Sequence, residues 1–120
     1  MGAGLRTMLG RHAMAWVTLV LSGVMEAVWA VALGKSNGFQ HALPTLVFVV
    51  GIILSMLGLA HATKTIPMGT AYAVWTGIGA ALTVAYGMVT GSEPVSVVRI
   101  ALICGLVGCV IGLKLVSGEA

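Results

Sequence analysis

The sequence predicts an all-α integral membrane protein built from four transmembrane helices. Three observations carry that expectation. The chain has 120 residues, 59% of them hydrophobic and 8% charged, whereas a soluble domain carries roughly 25% charged residues. The apolar residues gather into four runs, at about 14–34, 42–62, 69–90 and 96–116, each near the ~20 residues a helix needs to cross the hydrocarbon core. Most of the charge falls in the short stretches between the runs or ahead of the first. With connectors this short, consecutive helices must run antiparallel. The chain divides into an N-terminal extension, 1–13, and a four-helix membrane domain, 14–120.

The first run, Met14–Leu33, follows Arg6 and Arg11 and includes Ala30-Val31-Ala32, the small-residue pattern of a signal-peptide cleavage site. It is too long for a cleaved leader, whose apolar core spans about 7–15 residues, and it contains a carboxylate. That carboxylate, Glu26, lies half-way along the run. An ionisable group at mid-membrane costs at least ~2.5–3.5 kcal/mol to insert, so it marks a functional site by default. Structural glue is the bland alternative, but no intramembrane Lys or Arg stands ready as its fixed partner. Residues three and four apart share a helix face, which aligns Ser22, Gly23, Glu26, Trp29 and Ala30. Gly23 leaves space one turn before the carboxylate and Trp29 sets a flat ring one turn after it. A carboxylate beside an aromatic wall suits a delocalised, weakly hydrated cation.

The second run, Leu43–Ala62, has Ser55 as its only polar side chain near mid-membrane. Its hydroxyl can donate to a carboxylate on a neighbouring helix or bond back to its own backbone. His41 and His61 lie at the two ends and read as interfacial. The third run, Gly69–Thr90, carries Tyr72, Trp75, Thr76 and Gly79 at helical spacing. These supply a hydroxyl and a second stacking face, or common packing. Gly77 and Gly79 remove side-chain bulk in mid-helix, which permits close packing or a bend. The fourth run, Ser96–Val116, holds Gly105, Gly108, Cys109 and Gly112, a small-residue set fit for helix–helix contact. It reads as an assembly helix. Cys104 and Cys109 are about 140° apart around it, with no companion ligands for a metal.

The charges bear on orientation and on the excluded functions. Arg6, Arg11, Lys64 and Lys114 fall on the side of the termini, and Lys35 and Arg99 on the other. Counted from Met14 the balance is two against two, which gives the positive-inside rule almost nothing to act on. Such a chain can insert both ways. No basic patch with interleaved aromatics exists, so nucleic acid is not an expected partner. No nucleophile–base pair, metal cluster or phosphate loop points to an enzyme.

Two stretches together resemble the small multidrug resistance family, and more closely its guanidinium-exporter subgroup. They are Gly23-Val-Met-Glu26-Ala-Val-Trp29-Ala and Ile66-Pro67-Met-Gly69-Thr-Ala-Tyr72-Ala-Val-Trp75-Thr-Gly-Ile-Gly79. Ser36-Asn37-Gly38-Phe39, Arg99 and Ile111-Gly112-Leu113-Lys114 are similar too, and the likeness runs from Met14 to about Ser117. Trp29, three residues after the glutamate, and Trp75-Thr76-Gly77 resemble the exporter form rather than the multidrug form. Gly34-Lys35 departs from the Lys-Tyr of many relatives, and residues 1–12 have no counterpart. The resemblance implies an antiparallel, dual-topology homodimer in the cell (inner) membrane, joined through the fourth helices, with both central glutamates facing one cavity. It implies that Glu26 binds protons and a guanidinium-type cation in turn. Gly23, Trp29, Ser55, Tyr72 and Trp75 would surround it, with no cofactor and no metal.

A carboxyl in a low-dielectric cavity holds its proton until a cation arrives to replace it. Guanidinium fits the exchange because its planar N–H groups pair bidentately with a carboxylate. The sequence therefore leads to a proton-coupled antiporter working by alternating access. The competing expectations are a promiscuous quaternary ammonium exporter with the same carboxylate, a channel, and a non-transporting membrane assembly subunit.

Overall fold

A computed structural model describes the backbone of residues 2–116 and the side chains from residue 10 onward. Among the described residues the regular elements are four helices: α1 (Gly2–Lys35), α2 (Ala42–Ala62), α3 (Met68–Thr90) and α4 (Val97–Val116). All four are long and apolar enough to cross a membrane, the candidate span within α1 being Gly10–Lys35. The stretch 2–13, read as an extension, is helical and continuous with that span. It contains no proline, and its Ala, Leu, Arg and Met residues favour helix, so nothing stops the helix ahead of Met14. Met1 and residues 117–120, the end of the expected membrane domain, lie outside the described residues.

The connectors end the helices by local chemistry. Ser36 is fully buried; its Oγ donates to Leu33 O at 2.7 Å and accepts from Phe39 N–H at 3.1 Å. Gln40 and His41 N–H both donate to Ser36 O, at 2.8 and 3.0 Å. The chain turns through three left-handed residues, Asn37 (φ 51°), Gly38 (φ 68°) and Phe39 (φ 70°). Asn and Gly tolerate that region, whereas Phe rarely enters it. The Phe39 ring lies 5.6 Å from that of Phe48, which meets Trp29 edge-on at 5.9 Å. Pro44 is placed in the first turn of α2 and Pro67 caps α3, positions where a missing N–H costs nothing. Gly91, with φ 86°, closes α3 in the left-handed conformation that glycine supplies.

The helices form a slab of 55 × 35 × 19 Å. α1 is its spine, packed against both α2 and α3, while α4 lies along α3. The buried core gathers at the end that carries Arg11 and Lys64: Trp16 and Leu19 of α1, Leu59 and Ala62 of α2, Ile66, and Val74 and Trp75 of α3. Towards Lys35 the same three helices separate, leaving an apolar crevice of about 710 Å³ walled by Val28, Val47 and Leu82, with Lys35 and Tyr86 at its rim. The bundle is thus tight at one end and loose at the other. α4 contributes no buried residue within the chain.

Candidate cation site

α1 meets α3 around Glu26 because glycines let the two backbones approach. A Cβ added at Gly79 would overlap the Glu26 carboxylate. One added at Gly23 would lie 2.8 Å from Ile78 Cβ and 3.4 Å from Trp75 O. The carboxylate therefore occupies the room that Gly79 leaves, at the middle of α3. Its Oε1 is buried and has no hydrogen-bond partner. Two further buried polar atoms lack partners among the described residues, Trp29 Nε1 and Thr76 Oγ1. Buried polar atoms are nearly always paired, and an orphaned carboxylate oxygen in an apolar bundle is an acceptor suited to a donor-rich cation. Thr76 shares the face of α3 that carries Tyr72 and Gly79.

A chain of hydrogen bonds ties three helices together beside this site. Trp75 Nε1 donates to Ser55 Oγ at 2.8 Å, and Ser55 Oγ donates to Ser22 O at 2.8 Å. Ser22 Oγ donates to Thr18 O at 2.7 Å. Ser55 thus bonds neither to Glu26 nor to its own helix, the two options its spacing left open; it joins α2 to the backbone of α1 and to the indole of α3. Tyr72, 52% exposed, leans on Trp75 with ring centroids 5.9 Å apart. Trp29 packs against α2: a Cβ at Gly51 would lie 2.9 Å from Trp29 Cβ. The structure therefore brings Gly23, Glu26 and Gly79 into one close packing, with Ser55 and Trp75 hydrogen-bonded next to it and the Tyr72 ring against Trp75. Gly77 faces elsewhere, towards Val110 and Leu106 of α4, and α3 is helical through both glycines. Gly105, Gly108 and Gly112 have open space where a Cβ would stand, and Cys109 is exposed and free.

Several features escaped the sequence reading. Gly51 and Gly58 of α2 admit Trp29 and Ser22 of α1; with Ser55 between them they form a small-residue stripe that could have been read. Lys35 Nζ donates to Tyr86 OH at 2.8 Å and lies 5.3 Å from the ring centre, tying α1 to α3 at the loose end. Arg99 Nη1 pairs with Glu93 Oε2 at 2.9 Å. No local pattern announces either of these contacts.

The profile of the Small Multidrug Resistance protein family matches residues 14–106. The chain belongs to the small multidrug resistance family. Within it, the chain is 44% identical over 104 residues to the guanidinium exporter of Yersinia pseudotuberculosis, covering 87% of this chain and all of that protein. It is 45% identical over 102 residues to the guanidinium exporter of Escherichia coli, covering 85% of this chain and 97% of that one. For the guanidinium exporter of Proteus vulgaris the figures are 40% over 104 residues, with 87% and 100% covered. The chain is a multi-pass membrane protein of this transporter family.

Proposed function

We propose that this member of the small multidrug resistance family exports guanidinium and small guanidinyl compounds across the cell's inner membrane in exchange for protons. The observation that carries the reading is the Glu26 carboxylate, lodged against Gly79 with a buried oxygen that lacks a donor. The names of relatives at 40–45% identity support the choice of cation. Glu26 binds either a proton or the planar cation, never both, since each neutralises the same charge. Trp29 Nε1 and Thr76 Oγ1 offer further polar contacts, and the Trp75–Ser55–Ser22 chain fixes the geometry around them. The working unit is an antiparallel homodimer of dual topology, in which the uncovered faces of two α4 helices meet and two copies of Glu26 share one cavity. The tight end and the loose end then exchange roles as the bundle opens to one side or the other. No cofactor and no enzymatic step take part.

Reconstitution into liposomes tests this. Guanidinium should drive a saturable current with countermovement of protons, and Glu26→Gln should lose both. Unchanged guanidinium affinity in Glu26→Gln would remove Glu26 from its role. Strong inhibition by tetraalkylammonium ions would widen the substrate class.

A further inference from the structure

A second polar recess lies far from Glu26, at the tight end of the bundle. It is a cleft of about 430 Å³ between the start of the α1 span and the end of α2, lined by Arg11, His61, Lys64 and Thr65, with Met14 on its flank. Arg11, His61 and Lys64 are all exposed. Among the described residues the carboxylates are Glu26, at mid-membrane, and Glu93, which is bound to Arg99 at the opposite end of the bundle. Among the described residues, then, no carboxylate lies at the end of the bundle that holds the cleft. Arg11 stands ahead of residues 14–106, the part of the chain that matches the family profile, and reaches the cleft because α1 continues unbroken through residues 2–13.

We propose that this cleft binds the phosphate of an anionic phospholipid. The chemistry is that of a phosphate ester: a guanidinium for paired N–H contacts, an ammonium as a point charge, and imidazole and hydroxyl donors. Placement selects lipid over free phosphate. The cleft lies where α1 enters and α2 leaves the apolar layer, the plane in which headgroups sit. One turn deeper, Met14 is 63% exposed on α1 and Leu57 is 63% exposed on α2, so uncovered apolar side chains lie where acyl chains would continue from the headgroup. The site rests on Arg11 and Lys64 and uses none of the residues assigned to transport.

The full chain, purified in a neutral detergent, is offered equal amounts of phosphatidylglycerol and phosphatidylcholine, and bound lipid is counted by native mass spectrometry. Phosphatidylglycerol should be retained preferentially. A basic residue near an anionic surface contributes roughly fivefold in affinity, so Arg11→Gln with Lys64→Gln should weaken retention about 25-fold. Lys35→Gln, at the other end, should leave it unchanged. Helical content by circular dichroism checks that the double variant is folded. Equal retention of the two lipids, full retention by the double variant, or displacement of the lipid by equimolar inorganic phosphate would each overturn the proposal.

Discussion

Glu26 and Gly79 are best understood as one unit. The carboxylate fits because position 79 has no Cβ, so Gly79→Ala should displace it and cut guanidinium transport roughly tenfold or more, since an ångström of misplacement at a reacting group is that costly. Gly69→Ala, with open space around the added methyl, should leave the liposome flux unchanged. Competition between protons and the cation at Glu26, as proposed, gives a second expectation. If they compete for that carboxylate, raising the pH should improve apparent guanidinium affinity, by up to about tenfold per unit for each proton displaced. Flux titrations at several pH values would show this slope, and Glu26→Gln should flatten it. Glu26 stood out in the sequence as a candidate because a charge in an apolar run is costly to insert, and its place against Gly79 was not visible there. Ser55 was legible only as polar; its bonds to Ser22 O and Trp75 Nε1 depend on how three helices meet, which spacing along one helix cannot tell.

Among the elements, α2 and α3 are fixed to α1 by that same bonded chain. Ser55→Ala leaves the Trp75 N–H buried without an acceptor, which costs about 1–3 kcal/mol. Trp75→Phe removes the donor instead, leaving Ser55 its bond to Ser22. A double-mutant cycle on unfolding in mixed micelles should therefore find the two substitutions non-additive. The Arg99–Glu93 pair has both side chains about two-fifths exposed, and Arg99→Gln should cost less than ~1 kcal/mol in the same assay. The four spans were readable from apolar length alone, and Asn37, Gly38 and Gly91 carry the backbone freedom that their left-handed conformations require, whereas Phe39 does not. The continuation of α1 through residues 2–13 was not readable. The lack of a counterpart in the resembled family set that stretch apart, whereas helix propensity and the lack of a proline decide the backbone. Gly77 shows another limit of the same kind. Its bareness was plain in the sequence, but its neighbour, Val110 of α4, was not.

Taken as a whole, the molecule carries its charge unevenly. With residues 1–13 present, four basic residues stand at the termini end and two at the other; counted from Met14, the ratio is two to two. A chain beginning at Met14 should distribute more evenly between the two orientations, as read by labelling single cysteines from either side of the membrane. A bulky residue on α4 tests assembly separately. A Cβ at Gly108 meets nothing within 4 Å in the protomer, so Gly108→Leu should leave the fold intact while energy transfer between labelled protomers falls. The uncovered α4 has one more consequence, for dosage. If each working unit takes two copies, its abundance depends on how crowded the bilayer is. Diluting the protein with lipid should reduce flux more steeply than in proportion to the protein, and an inert copy carrying Glu26→Gln should silence the normal copies it joins. In a cell making both, a minority of poisoned subunits would disable more than their own number.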